Sequence, residues 1–140
     1  MRYHETPLQV RFNEVDAYRV AWHGHYVAWM EVGRNELAGR FGIDALQLSE
    51  LGFLGPVVSL ELKFLSPAHF NDRIVVRTSL RPTETATLEF LHEIVAADGR
   101  RLATGVTTHA LTDRDGVMQF RMPPVLSERI DTMTKWLVSE

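Results

Sequence analysis

One long helix with an apolar face, standing ahead of a run of hairpins, is the feature that most limits how this chain folds. From His23 to Phe41, the residues Tyr26, Trp29, Met30, Gly33, Leu37 and Phe41 recur at spacings of three and four, which lays them on one helix face. Gly42 is a natural stop, because glycine tolerates the left-handed conformation just beyond a helix end. Asp44 to Leu51 adds a further helical turn or two. The apolar face must be covered, and the remainder of the chain is mostly strand. Val58, Leu60, Leu62 and Phe64 alternate with Ser59, Glu61, Lys63 and Leu65, and Ile74 to Leu80 is rich in branched residues. Thr85 to Ala97 and Arg101 to Thr112 flank Asp98-Gly99, a strong hairpin signal. Asp115-Gly116 repeats that signal ahead of a last strand expected over Val117 to Met122. Pro123-Pro124 ends it, and Ser127 is the expected cap of a closing helix whose Ile130, Met133, Thr134 and Leu137 share a face. Ahead of the long helix, Leu8 to Asn13 reads as a short strand with Leu8, Val10 and Phe12 on one side.

The links between strands are too short for parallel crossovers, which need about a dozen residues or more. The expected architecture is therefore α+β: an antiparallel sheet wrapped around one central helix. With 140 residues and no repeat, linker or low-complexity tract, residues 1–140 read as one domain.

Composition narrows the function. The chain has no cysteine, which excludes disulfides, thiolate metal sites and a cysteine nucleophile. A formal net charge of -3 lacks the basic excess of a nucleic-acid binder. No apolar run approaches the roughly 18 residues of a membrane-spanning helix, so no membrane insertion is expected. The stretch from Met1 to Pro7 carries no apolar signal segment, and a cytoplasmic location is the expectation.

Chemistry concentrates between Phe12 and Tyr26. Amides at a helix start point outward without intrahelical partners and suit an anion or a developing oxyanion. Asp16 lies a few residues upstream, where a carboxylate can act as base or nucleophile beside that spot. Acyl-bond hydrolysis needs this pair of elements. Taken alone, an Asp before a helix is more often a cap or turn residue.

The ordered set of motifs resembles the 4-hydroxybenzoyl-CoA thioesterase family, including its Tol-Pal-associated branch. Phe12 matches the aromatic residue that ends a strand, Glu14 and Asp16 the acidic pair, Val20-Ala21 the hydrophobic pair, and Trp22-His23 with Tyr26 the aromatic segment beyond it. Glu31 and Arg34 match a Glu-x-x-Arg pattern on the long helix, Phe64 to Asp72 an aromatic, Pro-Ala, acidic segment, and Ala103-Thr104-Gly105 a later strand motif. The resemblance implies a hotdog fold, homodimers or homotetramers with sites at subunit interfaces, and hydrolysis of an acyl-CoA without metal or cofactor. Residue by residue, it implies Asp16 as the catalytic carboxylate and His23 at the oxyanion site. Trp22, Gly24 and Tyr26 are the expected substrate-binding residues beside them. Trp22, Trp29, Tyr26 and Met30 are otherwise expected mainly in the core. Many members carry glycine after the catalytic Asp, where this chain has Tyr18-Arg19. Arginine resists backbone angles that glycine permits, which leaves the shape of that turn open.

Rival readings stand beside these. His23-Gly24-His25 has no third ligand nearby and does not read as a metal pair. Glu31 and Arg34 read as a helix ion pair, with Glu31 a reserve carboxylate. Arg81, Arg100 and Arg101 sit near strand ends, either solvated or facing CoA phosphates, and His69, His92 and His109 have no motif context. The alternative functions are an acyl-thioester hydratase or dehydratase, a domain that binds acyl-CoA or a partner without turnover, and hydrolysis of a carrier-protein ester in place of the CoA ester.

Overall fold

The computed structural model describes residues 2–139. In chain order it runs through strand β1 (His4–Gln9), a 3-10 turn (Phe12–Glu14), helix α1 (His23–Arg40) and helix α2 (Ala45–Glu50). Next come strands β2 (Phe53–Leu54), β3 (Val57–Phe64), β4 (Arg73–Arg81), β5 (Thr87–Ala96), β6 (Arg101–Ala110) and β7 (Thr112–Asp113), and helix α3 (Pro124–Val138) closes the chain. The main sheet has five antiparallel strands in the order β1-β4-β5-β6-β3, and α1 packs across β1, β4 and β5.

The long helix forms where the spacing predicts it. Tyr26, Trp29, Met30, Gly33 and Leu37 are buried on its sheet-facing side. Gly42 takes a φ of +79°, and the Ile43 amide returns to the Ala38 carbonyl at 3.0 Å, which closes the helix end. Helix and sheet approach closely because both lack side chains at the contact. A Cβ on Gly33 would stand 2.6 Å from Thr78 Oγ1, and one on Gly105 of β6 would stand 2.8 Å from Met30 Sδ. Asp44 caps α2, accepting the Gln47 amide at 2.8 Å, while Gln47 Oε1 accepts the Asp44 amide at 2.9 Å. Asp98-Gly99 joins β5 to β6 as expected, with Gly99 at a φ of +92°.

Three expectations are corrected. The first strand ends at Gln9, four residues short of Asn13, because Glu14 Oε1 accepts the Arg11 amide at 2.8 Å and coils Phe12–Glu14 into the 3-10 turn. Val10 is buried, but Phe12 is 81% exposed. The strand expected over Val117 to Met122 is reduced to one bridge, Thr112 to Met118. Asp113 Oδ1 instead accepts the amides of Asp115 and Val117, which closes a turn, and β7 pairs with β2. The closing helix starts at Pro124, since proline at the first helical position forfeits an amide the helix does not need, so Ser127 lies inside the helix and caps nothing. The alternating set on β3, whose covering the sequence left open, stays largely exposed. Val58, Leu60 and Phe64 are exposed and only Leu62 packs on the core, because α1 covers the opposite half of the sheet.

Candidate active site

The segment between β1 and α1 is laced to the loop after β3. Val10 exchanges backbone hydrogen bonds with Asn71 and Asp72, the Ala21 amide donates to the Ala68 carbonyl at 2.8 Å, and Val20 bridges to His69. Within the segment, Val15 pairs with Ala21 and the Asp16 amide donates to the Val20 carbonyl at 3.0 Å, so residues 16–20 form a tight turn. The Arg19 amide donates back to the Asp16 carbonyl at 2.9 Å. Arg19 takes a φ of +66°, in the left-handed region that glycine adopts without cost. The arginine thus holds the conformation that favours glycine, at some cost in strain.

That turn presents the Asp16 side chain. Asp16 is partly exposed, and its Oδ1 accepts the Tyr18 amide at 2.8 Å. Among the described residues nothing donates to its other oxygen. Asp16 lines an open hollow of about 520 Å³ with Phe12, Asn13, Val15, Arg19 and Phe70. Phe12 and Phe70 meet edge to face, their ring centres 5.8 Å apart.

Helix α1 begins one turn of chain further on. Trp22 stands at its N-cap and offers no side-chain cap, and among the described residues nothing accepts from the amides of His23 or Gly24. The amide end of the helix is left open to an anion. Trp22 is half exposed, which corrects its expected place in the core. Its ring lies against the helix start, 4.8 Å from the His23 ring centre and 5.5 Å from that of His25. A Cβ on Gly24 would fall 2.1 Å from the Trp22 ring, so only glycine admits this packing. Tyr26 is buried. Its hydroxyl accepts the Ala68 amide at 3.0 Å, its ring meets Phe64, and burial pushes its phenol above the ordinary value. His23, Tyr26, Val20, Ala21 and the segment from Phe64 to Pro67 line a second hollow of about 300 Å³. Asp16 and His23 therefore open into neighbouring hollows, with Arg19 on the wall of one and Val20 on the wall of the other.

The two acidic residues of the expected pair part company. Asp16 faces open space, whereas Glu14 is 2% exposed and bound by Arg11 and by Trp29 Nε1 at 2.9 Å. Sequence reasoning assigned Glu14 nothing of its own; the only signal was its place in the motif. Glu31 and Arg34 form the expected pair, at 2.9 and 3.2 Å, and line neither hollow. Arg81 pairs with Glu89, Arg100 with Asp98 and Arg101 with Glu93, so these arginines are engaged along the sheet. Among the described residues no group of three or more His, Asp and Glu side chains is placed to hold a metal ion.

A strand-helix-sheet order, a helix held against five antiparallel strands and an acidic turn at the helix start define a class. The sequence profile of the Thioesterase-like superfamily matches residues 10–130, and the chain belongs to that family. The Synechocystis protein sll0410 is 30% identical over 131 residues, covering 92% of this chain and 79% of its own. The acyl-CoA thioester hydrolase YbgC of Escherichia coli O6:H1 is 28% identical over 98 residues, 69% of this chain and 72% of its own. Among solved structures, the DHNA-CoA thioesterase of Staphylococcus aureus superposes with a TM-score of 0.87 at 22% identity, covering 96% of this chain and 93% of that one. The fold is the hotdog that the motifs implied.

Proposed function

We propose that this chain hydrolyses the thioester of an acyl-CoA to the free acid and CoA, with Asp16 as the catalytic carboxylate. The observation that carries the reading is the pairing of an open carboxylate on a tight turn with unpartnered amides at the start of α1. The thioester carbonyl lies between them, its oxygen toward the amides of His23 and Gly24 and its carbon toward Asp16. Asp16 either attacks that carbon, expelling the CoA thiolate and forming an acyl anhydride that water then cleaves to the acid and free Asp16, or draws a proton from a water that attacks the carbon, after which the tetrahedral adduct expels the thiolate, which takes up that proton. An oxyanion donor is typically worth ~10²–10³-fold in rate and a positioned base ~10²–10⁴-fold. Tyr26 lines the hollow beside His23 that holds the acyl and pantetheine groups, and Trp22 and Gly24, packed on each other at the start of α1, bind the substrate next to it. The left-handed Arg19 supports catalysis over passive binding, since the turn keeps the form that favours glycine. YbgC, named for acyl-CoA thioester hydrolysis, supports the substrate class. The reading includes a cytoplasmic location.

A second copy of the chain completes the site in this reading. The exposed apolar residues Val57, Val58, Leu60 and Phe64 on edge strand β3 support it, because an apolar edge left open invites pairing.

Thiol release from a panel of acyl-CoA esters, followed with a chromogenic thiol reagent, tests the proposal. The protein has no cysteine and is silent in that assay. Release from at least one ester is expected. No release from any CoA or carrier-protein ester, with tight binding retained, would replace hydrolysis by a binding role; hydration of an enoyl ester without thiol release would replace it by a hydratase.

A further inference from the structure

The acidic pair of the motif holds two carboxylates two residues apart, and the structure separates their surroundings completely. The hollow beside Asp16 is lined by Phe12, Asn13 and Val15 but not by Glu14, whose side chain turns inward. There it gathers three donors. Its Oε1 accepts the Arg11 amide at 2.8 Å; its Oε2 accepts Trp29 Nε1 at 2.9 Å and Arg11 Nη2 at 3.3 Å. Its own carbonyl accepts the Trp22 amide at 2.9 Å, at the N-cap of α1.

Each of these bonds ends on a different part of the site. The Arg11 amide fixes the 3-10 turn that leads into the Asp16 turn. The Trp22 amide fixes the residue ahead of His23 and Gly24. Trp29 is six residues into α1, so its indole ties the carboxylate to the helix shaft well behind its first turn. That shaft is itself held. Trp29 packs on Tyr26 with ring centres 5.0 Å apart, and the Tyr26 hydroxyl accepts from Ala68, which in turn accepts Ala21.

We infer that Glu14 is a positioning residue: one buried carboxylate joins the Asp16 turn to the axis of α1 and so sets the separation between the Asp16 carboxylate and the helix-start amides. The inference rests on the proposed role of Asp16. A merely stabilising ion pair does not account for the arrangement, because the Arg11 side chain is 72% exposed and such a pair in water contributes little. The buried indole and backbone bonds carry the joint. They also demand a carboxylate. Glutamine at this position has one acceptor oxygen for two directions, and its amide would aim a donor at a donor.

The test compares Glu14→Gln and Trp29→Phe with wild type and with Asp16→Asn, measuring kcat, KM and the Trp29 indole proton resonance. The Trp29→Phe spectrum assigns that resonance. In Glu14→Gln, kcat is expected to fall ~10²-fold, the loss seen when reacting groups shift by about 1 Å. KM is expected to stay within roughly twofold, as for an interaction used only in the transition state. The indole resonance is expected downfield in wild type and upfield in Glu14→Gln. Trp29→Phe, which keeps the carboxylate and removes one donor, shows a smaller fall in kcat in the same direction and decides the matter should Glu14→Gln not fold. A variant that melts lower but turns over like wild type when folded would overturn the inference. An indole resonance unmoved in Glu14→Gln would overturn it too. Turnover lost in Asp16→Asn and kept in Glu14→Gln overturns the positioning role alone; turnover kept in Asp16→Asn overturns the reading of the site and this inference with it.

Discussion

The start of α1 and its middle treat buried polar groups in opposite ways. At the start, Glu14 is buried as an anion. Burial alone would raise its pKa, but the side-chain and backbone donors of Arg11 together with the Trp29 indole outweigh it and hold the carboxyl below its ordinary value. Over the middle, beneath the Glu31–Arg34 pair, lies a neutral cluster of His92, Thr107 and His109. The His109 Nδ1–H donates to the Gly55 carbonyl at 2.9 Å, which leaves its Nε2 to accept the Thr107 hydroxyl at 3.3 Å. That hydroxyl in turn accepts from Nε2–H of His92 at 2.9 Å. The relay needs His109 uncharged, because its Nε2 accepts, while the buried Nδ1 of His92 meets no partner among the described residues that would hold a second proton; burial pushes His92 down to about 4 and lowers His109 as well. A charge inside the protein survives only with donors from several directions. It is found where the site needs a stiff joint, and the neutral solution is found where helix simply rests on sheet.

Acid separates the two regions most widely. Above about pH 6.5, His92 is neutral folded and unfolded and contributes nothing. As pH falls from there toward about 4, the unfolded chain binds a proton that the folded chain refuses, and stability drops by on the order of 3 kcal/mol. Glu14 acts in the next window. Its contribution is present above its unfolded value of about 4.5 and is lost as pH falls through its lower folded value. Urea unfolding measured from pH 7 to pH 3 should therefore lose stability in two stages, the first flattened in His92→Gln. A single loss below pH 4.5 would remove any part for His92. Next in size is Gly33→Ala, whose Cβ would meet Thr78 Oγ1 at 2.6 Å and Val76 Cγ1 at 2.8 Å. Overpacking there should cost ~1–3 kcal/mol by thermal melting, and an unchanged melt would mean that helix and sheet part easily. The smallest effect is Arg19→Gly, which relieves a positive φ and should stabilise the fold by up to about 1 kcal/mol. Loss of stability there would show that the arginine side chain, and not the backbone angle, holds the turn.

Much of this was legible in the sequence. The α1 face, the Gly42 stop and the Asp98-Gly99 hairpin rest on local periodicity and turn chemistry, which act over a few residues. The ordered motifs carried the hotdog fold and brought Asp16 and His23 to adjoining hollows. The errors arose where distant partners decide. Alternation through Leu8, Val10 and Phe12 continues past the point where Asn71 and Asp72 and the Glu14 carboxylate bend the backbone. The apolar alternation of Val117 to Met122 lost to an aspartate turn and to the pairing of β7 with β2. Glu14 and Asp16 look alike in a sequence, and the donors of Arg11 and the indole of Trp29, fifteen residues away, tell the buried carboxylate from the open one.

Of the two carboxylates, the open one is proposed to do the chemistry. Thiol release by wild type and by Asp16→Asn, on the best acyl-CoA of the panel and with both proteins shown to melt alike, decides that point. A catalytic Asp16 requires kcat to fall ~10²–10⁴-fold in Asp16→Asn. Turnover near that of wild type would contradict the assignment and move the search to Glu31.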